Sequence, residues 1–297
     1  MYQTRQSPNP AEKIKHACQT IDKHLHELAE QMRQGKSEQL VRYLEFTAQF
    51  HQYSFRNILL ALSQRANITH LAGIKQWNQV GRRVQPGEKG IMILAPMTVR
   101  KKPTRENTED PESEAAVITL FKPVYVFDIS QTEGEPVPPL IHTSGDATSL
   151  FPAVEEAIRQ ANITLELAGQ IPGVPGADGA SYGGRIVVRA GLDTAEGFRT
   201  MVHEFAHEKL HWQAAKESKT IRETEADATA FVVCRHFGLQ SDTADYLLLY
   251  DATPKVLLER FETIRTTAGE IIAAITERLP DAQSVDRVHI ANRSTAQ

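Results

Sequence analysis

The sequence predicts an α+β protein in two parts: N-terminal helices packed on a small, largely antiparallel sheet, then a C-terminal part organised around a metal-binding helix. Three observations support this prediction. Long segments repeat apolar residues at helical spacing, and short β-rich segments follow turn signals. A Pro- and Gly-rich segment at 131–139 separates the two parts. We therefore predict one domain at 1–135 and a second at 136–297.

Composition restricts the class of protein. The chain has 297 residues, 41% of them hydrophobic and 24% charged, as is typical of globular proteins. It contains no run of 18 apolar residues, so we predict no membrane span and no membrane partner. The N-terminus lacks the apolar centre of a signal peptide. Cys18 and Cys234 are too few for a disulfide framework, so we expect a cytoplasmic protein.

Charge is divided unevenly along the chain. Residues 1–105 contain 17 Lys and Arg but 7 Asp and Glu, a balance of +10. The remaining residues contain 16 and 30, a balance of −14. This asymmetry predicts a polyanion-binding N-terminal domain and an acidic C-terminal domain.

The N-terminal elements follow from apolar spacing. After a polar lead at 1–9, which we predict to be disordered, one helix is expected over 10–33. A second helix or helix pair is expected over 38–66. Strands are expected at 91–94, 116–120 and 122–128. The charged segment at about 100–115 has no apolar periodicity, so we predict a mobile loop.

Aromatic, amide and cationic side chains are mixed at two places in this part of the chain, 50–57 and 75–89. Aromatic residues at helical spacing are usually core, so Phe46, Phe50 and Phe55 are expected to be buried. The remaining groups could stack bases or bind phosphates of single-stranded nucleic acid. Solvated surface charge is the alternative for these residues, and it stays open. The candidates are Tyr53, Arg56, Asn57, Lys75, Trp77, Arg82, Arg83 and Lys89.

The C-terminal part begins with a predicted helix at 151–161 and strands at 163–167 and 184–189. The second strand immediately precedes the metal-binding helix, and we expect it to be an edge strand beside which an extended substrate peptide lies. Asp193 is placed to cap that helix. Further helices are predicted from about 221 to 237 and from 254 to 279.

The metal-binding helix carries His203 and Glu204, followed after two residues by His207. Residues four apart lie on one face of a helix, so both imidazoles can bind one tetrahedral ion, zinc or another divalent metal. Glu204 lies beside the open position, where its carboxylate can act as the general base that deprotonates water. This motif is typical of zinc metallopeptidases.

The third ligand must come from elsewhere in the chain. His211 lies about 12 Å along the helix axis from His203, too far for a shared ion, so we interpret it as a helix-flank residue. Glu223 is the preferred ligand, with Asp227 holding a histidine in place. Glu225 remains the alternative ligand.

Several motifs resemble the ArdC family of plasmid antirestriction proteins over nearly the whole chain. The resemblance implies a domain that binds single-stranded DNA without sequence preference, a zincin-like metallopeptidase domain, and protection of incoming plasmid DNA from host restriction during conjugation. Asp227 stands where related metallopeptidase domains usually have Glu or Asn. The motifs lie at 53–60, 84–90, 126–134, 185–189, 203–207 and 223–227.

Two other functions remain open at this point. The peptidase site could be dispensable in a protein that protects DNA by coating it. Alternatively, the chain could be a regulatory metallopeptidase that cleaves a repressor, as in the similar ImmA/IrrE-like family, although no helix-turn-helix pattern is evident. The expected partners are single-stranded DNA, an unknown protein substrate and, indirectly, the host restriction machinery.

Overall fold

The computed structural model describes residues 9–34, 38–100, 117–136, 147–212, 218–240 and 253–279. The predicted lead, apart from its last residue, lies outside the described residues. So does the predicted mobile loop, apart from residue 100 at the end of a strand.

Three helices open the fold as predicted: α1 (Pro10–Arg33), α2 (Glu38–Phe50) and α3 (Phe55–Gln64). Asn9 and Glu12 form a reciprocal capping box at the start of α1. The Ser54 hydroxyl accepts from the Asn57 backbone N–H and starts α3. The segment predicted as one helix or two is therefore a pair of helices.

Short elements follow: β1 (Leu71–Ala72), α4 (Ile74–Gln79), β2 (Arg82–Val84), β3 (Ile91–Arg100), β4 (Val117–Asp128) and β5 (Thr132–Gly134). An antiparallel sheet has the order β1-β4-β3, and β2 pairs separately with β5. The two strands predicted at 116–120 and 122–128 are one strand, because Phe121 pairs with Pro96 and Lys122 with Ala95 without a break.

Helix α3 is attached to this sheet by side-chain amides. The Asn57 amide donates to the Leu94 carbonyl and accepts from its N–H, both at 2.9 Å. Gln64 makes the equivalent pair of bonds to Met92, at 2.8 and 2.9 Å. These bonds satisfy the outer backbone groups of Met92 and Leu94. Helix α3 packs on β3 and α1 on β4, so N-terminal helices pack on a small antiparallel sheet, as predicted.

The C-terminal part contains α5 (Leu150–Gln160), β6 (Thr164–Ala168), β7 (Gly179–Ser181), β8 (Arg185–Arg189), α6 (Thr194–Leu210), α7 (Lys219–His236) and α8 (Pro254–Thr276). Strand β8 lies in the middle of the sheet, parallel to β6 and antiparallel to β7. The expectation that β8 is an edge strand is therefore wrong. The short strand β7, which the sequence pattern did not predict, occupies the edge instead.

One continuous apolar core joins the two predicted domains. The Phe55 ring stacks on Phe261 with centroids 4.4 Å apart, and the Phe55 N–H donates to Glu262 at 2.8 Å. Arg235 of α7 pairs with Glu45 of α2 at 2.5 Å. The N-terminal helices thus support α7 and α8, while the boundary at 135/136 stays a prediction.

In the part of the chain that the structure describes, helices and three small sheets together confirm the α+β class. Within the described ranges, none of the helices combines the length and the hydropathy that crossing a bilayer requires.

Candidate metal centre

Helix α6 positions the predicted motif. The Asp193 carboxylate accepts from the N–H groups of Ala195 and Glu196, which fixes the first turn. The helix packs against α5, α7, β7 and β8. His203 and His207 lie on its accessible face, with side chains 15% and 14% exposed. The residues that hold this helix in the interior are Phe198, Met201, Val202, Phe205 and Ala206.

Helix α7 supplies the third group. Ser218 caps it through the Ile221 N–H. Its small residues Ala226, Ala228 and Ala230 are all buried, so the two helices pack closely. Glu223, in the second turn of α7, faces the two imidazoles of α6.

Three potential ligand atoms converge at this place. His203 Nε2 lies 3.0 Å from His207 Nε2, and Glu223 Oε2 lies 3.5 Å from each of them. Tetrahedral ligands bound to zinc at 2.0–2.1 Å lie about 3.3 Å apart. Among the described residues, this is the group of His, Cys, Asp and Glu side chains with the spacing of a metal site. The donor set fits a divalent ion, and the structure brings together the three predicted ligands.

His203 is held from its other side. Its Nδ1 lies 2.9 Å from Asp227 Oδ1, and Arg199 donates to the same carboxylate oxygen at 3.1 Å. Burial lowers the pKa of His203, but the Asp227 and Glu223 carboxylates outweigh it and raise this pKa to about 9. Hydrogen bonds from both imidazoles hold the pKa of Glu223 well below its usual range. Asp227 thus lies where the sequence pattern predicted it, against a ligand histidine.

His211 has a different place from the one predicted, and Glu225, the alternative ligand, contacts His211 and not the ligand cluster. His211 is buried at the end of α6 and is not a helix-flank residue. Its Nδ1 lies 2.9 Å from His207 Nδ1, and its Nε2 lies 3.1 Å from Glu225 Oε2. Arg260 of α8 donates to Glu225 Oε1 at 2.8 Å. Because its carboxylate faces His211 and Arg260, Glu225 is not the third ligand in this arrangement.

Glu204 is buried beside the cluster, with 7% of the residue exposed. Burial raises the pKa of its carboxyl group, and His203 and His207 partly offset that rise. The edge strand β7 passes close to it. A Cβ on Gly179 would lie 2.9 Å from Glu204 Cγ, so only glycine allows this approach.

Glu208, a residue that sequence reasoning missed, ties β7 and the following turn to α6. Its carboxylate accepts from the Ser181 hydroxyl at 2.7 Å and from the N–H groups of Gly183 and Gly184 at 2.9 and 2.7 Å. Its position five residues after His203 gave no indication of this role. The contact depends on a turn that is distant in sequence.

Several predicted DNA-binding residues make hydrogen bonds within the protein. Asn57 is bound to β3 as described, and the buried Trp77 donates its indole N–H to the Phe127 carbonyl at 3.0 Å. Arg82 binds Thr132 and neighbouring carbonyls. Tyr53 donates to the Leu71 carbonyl at 3.0 Å, and burial raises its pKa to about 12. The predicted residues that remain exposed are Arg56, Lys75, Arg83 and Lys89.

Exposed aromatic residues lie elsewhere, on β4. Phe121 is 51% exposed and Tyr125 is 46% exposed. The Lys13 ammonium lies 5.5 Å from the Tyr125 ring centroid and donates to the Tyr125 hydroxyl at 3.0 Å. Phe121, Pro123 and Tyr125 are spaced two residues apart, so both rings lie on the same face of the strand. This spacing was visible in the sequence.

Comparison with known proteins identifies the N-terminal part. Residues 12–127 match the family model described as the N-terminal domain of anti-restriction factor ArdC. This chain carries the ArdC N-terminal domain. The ArdC domain includes the first three helices and the β1-β4-β3 sheet, and the match confirms, for this part of the chain, the ArdC resemblance that the sequence motifs indicated.

Two kinds of relative are similar beyond the ArdC domain. An uncharacterized protein of Bacillus anthracis is 24% identical over 327 residues, covering 93% of this chain and 54% of the relative, so the chain spans about half the relative's length. The metal-free crystal structure of the antirestriction protein ArdC from plasmid R388 has 16% identity and a TM-score of 0.47, covering 76% of this chain and 86% of that one. The Mn(II)-bound structure has 16% identity and a TM-score of 0.44, covering 80% and 98%.

Proposed function

We propose that this chain is an antirestriction protein that combines a DNA-binding domain with a metallopeptidase site. In this proposal, the ArdC domain binds single-stranded DNA without sequence preference, and the C-terminal part is a zincin-like metallopeptidase. The protein protects incoming plasmid DNA from host restriction during conjugation, in the cytoplasm. The observation that carries the proposal is the convergence of His203, His207 and Glu223 in a chain that also has an ArdC domain.

The metal would be held by the Nε2 atoms of His203 and His207 and by the Glu223 carboxylate. A bound divalent ion supplies a Lewis acid that polarises a carbonyl and makes water more acidic. Zinc is the first expectation for two imidazoles and one carboxylate. Manganese is the second ion to be tested, because one R388 ArdC structure is Mn(II)-bound.

The chain's own groups would carry out peptide hydrolysis around that site. Glu204 takes a proton from the attacking water and returns it to the departing amine. Strand β7 is an edge strand in which Gly179 lies against Glu204. Among the described strands only β8 pairs with β7, so its outer backbone groups can bind an extended peptide as an added strand.

The conversion of Glu204 to Gln tests the enzymatic part. The amide keeps the shape of the side chain but cannot accept the proton, so we expect unchanged metal content and a loss of hydrolysis of about 10²-fold or more. Metal content is measured by mass spectrometry, and hydrolysis with a random peptide library. Equal cleavage by the Glu204→Gln variant would refute the mechanism. Antirestriction by this variant in cells shows whether hydrolysis is needed or whether coating of DNA suffices.

The DNA-binding part is proposed to use the aromatic face of β4. Phe121 and Tyr125 can stack bases, and Lys13 beside Tyr125 can bind a phosphate. Stacking contributes about 1–3 kcal/mol per base, so replacing either ring by Ala should weaken binding by roughly 5- to 150-fold.

Fluorescence anisotropy with a labelled oligo(dT) strand measures this effect. The affinity should fall steeply with salt and exceed the affinity for duplex DNA. Trp212→Ala is the matched control, because Trp212 is 51% exposed in the C-terminal part. If the Phe121, Tyr125 and Trp212 variants all bind as the unmodified protein does, DNA does not bind on this face.

A further inference from the structure

His207 makes two contacts that determine where its proton lies. Its Nε2 belongs to the ligand cluster, 3.0 Å from His203 Nε2. Its Nδ1 lies 2.9 Å from His211 Nδ1. A metal ligand must present a lone pair, so when Nε2 binds an ion the proton of the neutral imidazole is on Nδ1. His207 Nδ1 is then the donor, and His211 Nδ1 must accept.

The same argument determines which nitrogen of His211 carries the proton. Once His211 Nδ1 accepts, its proton is on Nε2, which lies 3.1 Å from Glu225 Oε2. A carboxylate is an acceptor and completes the chain of hydrogen bonds. Arg260 donates to the other oxygen of the same carboxylate at 2.8 Å. The Glu225 side chain is thus held between two donors, His211 and Arg260.

Burial and charge support a role of His211 and Glu225 in orienting the His207 ring. The side chains of His211 and Glu225 are each only 4% exposed. A buried carboxylate needs a compensating partner, and Arg260 provides it at 2.8 Å. Because the three residues come from α6, α7 and α8, the chain of contacts links the metal helix to both helices that pack beside it.

We propose that His211 and Glu225 are positioning residues that hold the His207 ring in the tautomer and orientation required for metal binding. This inference rests on the metal site proposed above. The other ligand, His203, reaches its carboxylate directly, with Nδ1 2.9 Å from Asp227. For His207 the corresponding acidic residue, Glu225, is reached only through His211. Each ligand histidine is thus oriented by one acid of α7, and an intervening imidazole spans the longer gap.

Two substitutions of His211 separate this role from simple filling of the core. Phe preserves the shape of the ring but has no acceptor for His207. Asn preserves an acceptor, because its side-chain oxygen can occupy the place of the imidazole Nδ1. His236→Phe is the matched control: His236 is a half-buried histidine at the far end of α7, with Nδ1 2.9 Å from the Ala48 carbonyl.

Two measurements are made on the full-length protein. Zinc affinity is determined by competition with a chromophoric chelator. The tautomer of His207 is determined in metal-free protein from imidazole ¹⁵N chemical shifts. Loss of an orienting partner costs about 10- to 100-fold in metal affinity. We therefore expect His211→Phe to bind zinc about 10- to 100-fold more weakly and to lose the Nδ1–H preference of His207, with both restored towards normal in His211→Asn and unchanged in His236→Phe.

Wild-type zinc affinity in His211→Phe, with His207 still protonated on Nδ1, would overturn the inference. If the Phe variant does not fold, the Asn variant decides: a loss of affinity above about tenfold together with loss of the His207 tautomer counts against the proposal. Failure of the proposed metal site is a separate outcome. In that case the unmodified protein binds no zinc, and the ¹⁵N shifts of the metal-free protein still show whether His211 fixes the tautomer.

Discussion

As the pH rises, the stability of the metal-free protein should fall and its affinity for zinc should increase. Both effects follow from the loss of one proton from His203. Its pKa in the folded, metal-free protein is about 9, whereas an exposed histidine has a pKa of about 6.5. A group whose pKa is raised by folding contributes stability that is fully present below the unfolded pKa. That contribution is lost as the pH rises through the folded pKa.

The size of the effect follows from the difference between the two pKa values. Each unit corresponds to about 1.4 kcal/mol, so the protonated imidazole between Asp227 and Glu223 contributes on the order of 3 kcal/mol below pH 6.5. At about 2 °C per kcal/mol for a chain of this size, the melting temperature of the metal-free protein should fall by roughly 6 °C between pH 6.5 and 9. Glu223 adds no slope in this window, because its lowered pKa leaves it ionised throughout.

Zinc binding should strengthen over the same range. Zinc must displace the proton from His203, so affinity should rise by about tenfold per pH unit and level off near pH 9. The assays are thermal unfolding after EDTA treatment and zinc titration in a non-coordinating buffer. Asp227→Asn is the control, because it removes one of the carboxylates that raise the His203 pKa and should flatten both curves. A metal-free melting temperature that stays constant from pH 6.5 to 9 would refute the reasoning.

Two substitutions test the geometry around the cluster. Glu223→Gln keeps the shape but removes the ligand charge, so zinc affinity should fall by at least about tenfold; Glu270→Gln, an exposed acid paired with Lys209 on the same helix bundle, should leave it unchanged. Retention of full affinity by the Glu223→Gln variant would exclude Glu223 as a ligand. Gly179→Val places a Cβ 2.6 Å from Thr200 Cγ2 and 2.9 Å from Glu204 Cγ, so unfolding free energy should fall by about 1–3 kcal/mol in a denaturant titration. Gly169→Val is its control, because a Cβ there meets no atom within 4 Å; equal stability of the two variants would show that β7 does not lie against α6.

Local sequence patterns were sufficient for much of the fold. Helix α1 was predicted with its observed bounds, and the predicted Asp193 cap starts α6. These features depend on residues within one or two turns of each other. The short strand β7 was missed, because three residues of Gly, Ala and Ser carry no apolar alternation. Its pairing with β8 is established only in the fold.

The N-terminal surface shows the same limit. Asn57 and Trp77 were predicted to contact DNA because amide and indole groups often bind bases. In the fold, both side chains bind backbone groups of the β1-β4-β3 sheet, at Leu94 and Phe127. A sequence lists the hydrogen-bonding groups but not which of them the core must satisfy.

The spacing of His203, Glu204 and His207 in the chain was enough to indicate a metal site, since helix geometry alone places residues four apart on one face. The roles of the downstream acids depended on the way α7 and α8 pack against α6. That packing directs Glu223 to the ligand cluster and Asp227 to His203. It directs Glu225 to His211 and Arg260. These three acids lie within a five-residue segment, so the orientation of α7 decides which group each of them contacts. Contacts between distant parts of the chain establish that orientation.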